Sequence, residues 1–133
     1  MRDIRFRTWY KSKMTNLGHV YEAYFMDCAY LERSGHEGDE DPVLMQFTGL
    51  TDKNGNLIYE GDILRAGDDS FYGLVYFDEK DAVFGVKVYK DGKKVMNCAS
   101  VRSFIVQREI SQLGSHCVVI GNKFEDKHLI END

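Results

Sequence analysis

The chain has 133 residues, of which 43% are hydrophobic and 29% are charged. This length predicts a single domain over residues 1–133, because domains most often hold about 100 to 150 residues, and the hydrophobic content excludes an intrinsically disordered chain. The 17 Lys and Arg against 22 Asp and Glu give a net charge of −5, so no overall basic field gathers nucleic acid. No apolar run approaches the length of about 20 residues that a membrane helix needs, and we expect no membrane partner.

The N-terminus and the cysteines favour a cytoplasmic protein. Residues 1–10 place Arg2, Arg5 and Arg7 among single apolar residues and so lack the continuous apolar segment of a secretory signal. The three cysteines, Cys28, Cys98 and Cys117, are odd in number and widely spaced. That pattern is typical of buried reduced thiols rather than of a disulfide framework.

Short alternating apolar segments, rich in aromatic residues, predict a chain built mainly of β-strands. In chain order these segments are Ile4–Tyr10, His19–Met26, Val43–Thr48, Ile58-Tyr59, Ile63–Ala66, Phe71–Phe77, Val83–Tyr89, Val95–Cys98 and Cys117–Ile120. So many short strands predict a small barrel or a strongly twisted antiparallel sheet, because closure protects exposed strand edges. A short C-terminal helix is expected at Phe124–Ile130, and an α+β fold is the alternative.

Two segments do not read as strands. Residues 32–42, ERSGHEGDEDP, contain no apolar side chain and carry five carboxylates, so we expect a flexible acidic loop there. The apolar spacing of Val101–Leu113 permits a short helix, yet Phe104-Ile105-Val106 would fit a strand equally well.

Turn signals separate the strands. Asn-Gly at 54–55 readily adopts the positive φ angles of a tight hairpin. We also expect a special backbone conformation, which glycine tolerates best, at Gly61 and Gly121. The predicted structural turns are Asn54, Gly55, Gly61, Asp62, Gly121 and Asn122.

The first strand has two distinct faces. Alternation sends Ile4, Phe6 and Thr8 to one face, expected inside, and Arg5, Arg7 and Trp9 to the other, expected outside. The expected core comprises Ile4, Phe6, Phe47, Leu50, Ile58, Ile63, Val75, Phe77, Val86, Val88, Val118 and Ile120.

Three segments carry a resemblance to a known family. They are the opening MRDIRFRTW, the central LMQFTGLTDKNGNLIYEGDIL at Leu44–Leu64, and VVIGNKFED at Val118–Asp126. Together they resemble the YopX family of small phage and prophage proteins. The resemblance implies a mainly β, phage-encoded and oligomeric protein, and it carries no established activity and no catalytic residues.

The chemistry of the side chains points to no cofactor. The four histidines are scattered, so a zinc site would have to be assembled entirely by tertiary structure. Glu60 and Asp62 flank Gly61 and could hold a divalent cation or act as an acid and base pair, but hydrogen bonding to the amides of the turn explains them more simply. Nucleophile elbows and phosphate-binding glycine loops do not occur in the sequence, so we expect no enzyme, no metal and no cofactor.

Two hypotheses on function remain ahead of a carboxylate metal enzyme. The first is a non-catalytic β module that assembles with itself, as a homo-oligomer, or docks a host or phage protein, since its tyrosines suit interfaces. The second is a single-stranded nucleic-acid binder that uses Arg5, Arg7 and Trp9, because basic residues with an aromatic ring combine phosphate contacts with base stacking.

Overall fold

The computed structural model of the chain describes residues 3–19 and 42–131. Its strands are β1 Arg5–Tyr10, β2 Lys13–His19, β3 Val43–Thr51, β4 Leu57–Tyr59, β5 Asp62–Ala66, β6 Phe71–Asp78, β7 Val83–Lys90, β8 Lys93–Cys98 and β9 Cys117–Asn122. Within these residues, one α-helix, α1, spans Val101–Ser111, and a 3-10 turn spans Lys127–Leu129. The prediction of a mainly β fold with antiparallel sheets is confirmed. Residues 32–41 of the expected acidic loop lie outside the described residues.

The chain falls into two compact units, Met1–Gly49 and Leu50–Asp133. In the first unit, β1 pairs with β2 on one side and with β3 on the other, both antiparallel. Lys11 and Ser12 connect β1 to β2 and both have positive φ angles, 49° and 60°, as a two-residue hairpin turn with the twist of its strands requires. The sequence prediction of a second strand at His19–Met26 missed this hairpin, because Lys-Ser carries no turn signature, and residues 20–26 lie outside the described residues.

The outward assignment of Arg7 is wrong. Arg7 lies opposite Met45 on β3, and its side chain is only 8% exposed. Its Nη2 donates a hydrogen bond of 3.8 Å to the Sδ of Met45. Thr8, on the other face of β1, is buried as well. Because β1 is paired on both sides and covered on both faces at its centre, alternation could not tell an inner face from an outer one.

The second unit is built on a five-stranded antiparallel sheet in the order β8-β7-β6-β5-β9. The helix α1 packs on one face of this sheet and closes the main core with Val101 and Phe104. The buried members of this core are Ile58, Leu64, Ala66, Val75, Val86, Val88, Cys98, Val101, Phe104 and Cys117. A smaller cluster of Ile63, Leu74 and Ile130 lies around the C-terminal turn.

Several expected core residues lie elsewhere. Phe77 and Ile120 are exposed, and Ile4, Phe6, Leu50 and Val118 are only half-buried. Ile120 falls at a bulge in β9, where Ile63 pairs with Gly121 and Leu64 with Val119, so it has no partner in the ladder. A bulge interrupts the alternation on which the core prediction was based.

The ambiguous segment is a helix with defined ends. Ser100 is the N-cap, and its Oγ accepts a hydrogen bond of 3.1 Å from the amide of Ser103. At the C-terminus the amide of Gly114 donates to the carbonyl of Glu109 and the amide of Leu113 to that of Ile110. This Schellman arrangement places Leu113 in the left-handed region with a φ of 52°, a position that glycine usually takes. The expected helix at Phe124–Ile130 is a single 3-10 turn.

Candidate protein-docking surface

Three large apolar side chains are exposed on α1 and at its C-terminal cap. Val106, Ile110 and Leu113 are 48%, 72% and 95% exposed. A spacing of four residues places Val106 and Ile110 on one side of the helix. Leu113 follows the end of the helix, in the left-handed position of its C-terminal cap. We call these three residues the α1 stripe.

The surroundings of the α1 stripe are nearly free of charge. The other exposed residues of the helix are Arg102, Ser103, Gln107 and Ser111, of which only Arg102 is charged. The single acid of the helix, Glu109, is half-buried, and its Oε2 accepts a hydrogen bond of 3.0 Å from the amide of Cys117. An apolar centre with a polar and largely uncharged rim is typical of a protein contact.

The inward face of α1 fixes the direction in which the stripe points. Phe104 is buried over Gly73 of β6. The Nε of Arg108 lies 3.0 Å from Oδ2 of the buried Asp69, and its guanidinium lies over the ring of Phe71 at 4.9 Å. Because these contacts fix the orientation of α1 on the sheet, the direction in which the α1 stripe points is also fixed.

The β9 edge of the five-stranded sheet is closed by carboxylates. The amides of Cys117, Val119 and Asn122 donate to Glu109 Oε2, Asp52 Oδ2 and Asp126 Oδ2 at 3.0, 2.9 and 3.0 Å. Free strand edges invite another chain to add a strand, and side chains that occupy the amide donors prevent this. The β9 edge is therefore not available for sheet extension.

The β8 edge is protected in a different way. The register between β7 and β8 shifts between Val88 and Tyr89, which leaves Val95 without a partner in the ladder. Lys93 and Lys94 are exposed at the start of β8. Bulges and lysines are common means of blunting an edge, so the α1 stripe is the better candidate for a contact surface.

The predicted turn at Asn54 and Gly55 is built around Asp52. Gly55 has a φ of 83°. Oδ1 of Asp52 accepts hydrogen bonds of 2.9 Å from the amides of both Asn54 and Asn56. Together with the bond to Val119, this carboxylate joins the turn to β9. The residue types at 54 and 55 predict the turn, whereas the role of Asp52 as its organising residue depends on contacts that the sequence does not reveal.

The turn at Gly61 and Asp62 links several elements. Gly61 has a φ of 86°, its amide donates to the carbonyl of Val75, and its carbonyl accepts from the amide of Lys123. Asp62 is buried, and its Oδ2 accepts a hydrogen bond of 2.8 Å from the amide of Tyr59. Asp62 thus serves the turn, which is the simpler interpretation of the Glu60 and Asp62 pair. Within residues 3–19 and 42–131, no three His, Cys, Asp or Glu side chains come close enough to hold a metal ion.

Gly121 is required for a reason other than the one expected. It is not among the glycines with positive φ, so the expected special backbone is wrong. A Cβ atom at Gly121 would collide with the carboxylate of Asp126, which bonds the amide of Asn122. Asn122 Oδ1 in turn accepts from the amides of Phe124 and Glu125 at 3.0 and 2.9 Å. The site is a tight polar turn.

The basic and aromatic face predicted at the N-terminus does not form an open patch. Arg5 pairs with Asp3 at 3.0 Å, and both are at least partly exposed. Arg7 is buried beside Met45, and the half-buried Trp9 lies opposite Val43. Burial of Arg7 removes one of the two cations that were expected to contact phosphates.

The two described cysteines are buried in the second unit, and burial raises the pKa of both thiols. For Cys117, burial has the largest effect and the charges of Glu109, Asp52 and Asp69 add to it, raising the pKa to about 12.

Since the thiolate is the reactive form, a Cys28→Ser variant should not react with a disulfide reagent at pH 8 while folded. Two thiols should react after denaturation. Rapid reaction in the folded state would contradict the burial of Cys98 and Cys117.

The described residues contain no helix long and apolar enough to cross a membrane.

Comparison with known proteins gives a family and a fold. The family model for YopX, described as YopX protein, matches residues 5–131. A crystal structure of protein EF1440 from Enterococcus faecalis is similar with a TM-score of 0.56 and 22% identity, covering 96% of this chain and 98% of that chain. No curated protein matches the chain. At this identity the likeness to EF1440 concerns the fold alone.

Proposed function

The chain belongs to the YopX family, and on that premise we propose that it is a non-catalytic module encoded by a phage or prophage. It acts in the host cytoplasm by assembling with a second copy of itself through the α1 stripe. The observation that carries this proposal is the exposure of Val106, Ile110 and Leu113, at 48%, 72% and 95%, on and directly after a helix whose other side packs on the sheet. Isolated exposed apolar residues are ordinary, but three of them within eight residues at one end of a helix are typical of a contact surface.

Leu113 adds support from the backbone. A leucine in the left-handed region costs about 1 kcal/mol relative to glycine, and its 95% exposed side chain contributes nothing to the core. Such a residue weakens the isolated chain. An outlier of this kind leads to a hypothesis of function, and contact with another molecule would give the side chain a role.

A second copy fits the α1 stripe because the surface is complementary to itself. An antiparallel pair of α1 helices brings Val106 of each copy against Ile110 of the other. Arg102 then lies toward the Leu113 end of the other helix and away from the Arg102 of that helix. Because the helix exposes no carboxylate, no two like charges face each other across the contact. A two-fold contact of this kind needs the same patch on both chains.

The size of the stripe predicts weak association. A standard stable interface buries about 800 Å² on each partner, and three side chains supply only the centre of such a contact. We therefore expect a dimer that forms reversibly and depends on protein concentration.

Charge reversal within the α1 stripe tests the proposal. Ile110→Glu should abolish the dimer, because a carboxylate at the centre of an apolar contact would be desolvated without a partner. Ser111→Glu adds the same charge to an exposed position of the same helix, off the stripe, and should leave the dimer unchanged. Light scattering coupled to size-exclusion chromatography measures the mass of both. Equal dimer content in Ile110→Glu and wild type, or equal loss in both variants, would overturn the assignment to this stripe.

A further inference from the structure

The sheet face opposite α1 carries a row of side chains that crosses four strands. Tyr72 of β6 lies directly opposite Tyr89 of β7, and Tyr89 lies opposite Lys94 of β8. On the other side, the guanidinium of Arg65 of β5 lies over the ring of Tyr72 at 5.4 Å. The row thus has two tyrosines in the middle and a cation at each end. Lys94 is exposed, and the other three are half-buried.

A second tyrosine and lysine pair lies beside this row. Alternation along β6 places Tyr76 on the same face as Tyr72, and Lys87 shares that face with Tyr89 on β7. The Nζ of Lys87 lies 4.8 Å above the ring of Tyr76. The ring packs on Gly85, which lies directly opposite, because glycine leaves room for it there. We call Arg65, Tyr72, Tyr76, Lys87, Tyr89 and Lys94 the tyrosine face.

The C-terminal turn occupies part of the tyrosine face, since Tyr72 and Tyr89 pack against the cluster of Ile63, Leu74 and Ile130. Acids border the face at two places. Asp78 ends β6, and its Oδ1 accepts from the amides of Lys80 and Asp81 within the turn. At the other end, Asp68 and Asp91 border a cavity of about 400 Å³ that Arg65 and Tyr72 also line. Arg65 borders that cavity together with these acids, whereas Lys87 lies opposite Leu74 in the middle of the sheet, although the whole chain is acidic.

We propose that the tyrosine face binds single-stranded nucleic acid. Bases would stack on the tyrosines, while Arg65, Lys87 and Lys94 would contact the phosphates, and this combination tolerates any sequence. A contact between a lysine and a tyrosine ring contributes less free energy than a stacked base, so Lys87 can move from the ring of Tyr76 to a phosphate. The row crosses four strands about 4.8 Å apart, so the site takes only a few nucleotides.

This site differs from the N-terminal face that the sequence suggested. It shares no residue with that face or with the α1 stripe, and it lies on the other side of the sheet from α1. Nucleic-acid binding at the tyrosine face therefore does not depend on self-assembly through the α1 stripe, and either can be disproved without affecting the other.

Fluorescence anisotropy with a labelled short oligo-dT at low salt tests the site. The wild-type chain should bind, and the affinity should fall as salt rises, because bound phosphates release counterions. The double variant Lys87→Glu with Lys94→Glu should lose at least about tenfold in affinity. The double variant Lys53→Glu with Lys80→Glu changes the net charge equally at exposed turn positions and should change the affinity by less than about twofold.

Tyr76 tests the stacking part of the proposal. Tyr76→Phe keeps the ring and should bind like the wild type, whereas Tyr76→Ala should lose several-fold in affinity at a temperature where both variants are fully folded. No binding by the wild-type chain at low salt would overturn the proposal. It would also be overturned by equal losses in the two lysine double variants, because binding would then follow the net charge and not the tyrosine face.

Discussion

Asp52→Ala is expected to lower the free energy of unfolding by about 3 to 4 kcal/mol, since hydrogen bonds to a charged group contribute about 1.5 to 3 kcal/mol each and are not additive. The carboxylate is buried and accepts from the amides of Asn54, Asn56 and Val119 at 2.9 Å, and from Nδ2 of Asn56 at 3.2 Å. Alanine leaves these donors without their acceptor and frees the turn from β9. Asp68→Ala removes an exposed carboxylate and should cost less than about 0.5 kcal/mol.

The stabilisation by Asp52 also depends on pH. Burial acts to raise the pKa of this carboxyl, but the hydrogen bonds from Val119, Asn56 and Asn54 together outweigh it and hold the pKa below its ordinary value of 3.8. A lowered folded-state pKa means that the stabilisation is fully present above the unfolded-state pKa and is lost as the pH falls through the folded-state value. The free energy of unfolding in urea should therefore be higher for wild type than for Asp52→Asn at pH 7, and this difference should narrow below about pH 4. Equal free energies of unfolding at pH 7 would contradict the role of Asp52.

Gly73→Ala is expected to cost about 3 kcal/mol, the upper part of the range for overpacking a core. A Cβ atom at this position would lie 2.6 Å from Cζ of Phe104 and 2.7 Å from Cγ1 of Val86. Both neighbours are fully buried in the main core, so neither can swing away without moving α1 or β7.

A shorter side chain at position 104 provides the control. Phe104→Leu is destabilising by itself, because it leaves a cavity, but Gly73→Ala should cost much less in that background. The coupling of the two substitutions, measured by denaturant unfolding, should exceed about 1 kcal/mol. Additive effects would show that Gly73 and Phe104 do not constrain each other.

Local chemistry explains what could be predicted from the sequence. Asn54-Gly55 carries its turn conformation in its own residue types, and the apolar segments at 71–77 and 83–89 closely match strands β6 and β7. The hairpin at Lys11 and Ser12 has no such signature, and its positive φ angles are imposed by the pairing of β1 with β2.

Tertiary contacts explain what could not be predicted. Asp52 organises its turn through Val119, which lies 67 positions later in the chain. The α1 stripe can be located only when it is known that Val101 and Phe104 point inward. The sequence of that segment is compatible with both a helix and a strand. The burial of Arg7 follows from the cover on both faces of β1 at its centre, which alternation within one segment does not reveal.

Sedimentation velocity of the wild-type chain, over a wide range of protein concentration, tests the central claim of self-assembly through the α1 stripe most directly. The mean mass should rise from the 15.4 kDa of the chain toward twice that value as concentration increases, whereas Ile110→Glu should stay at the lower mass. A wild-type chain that remains monomeric at every concentration would contradict it.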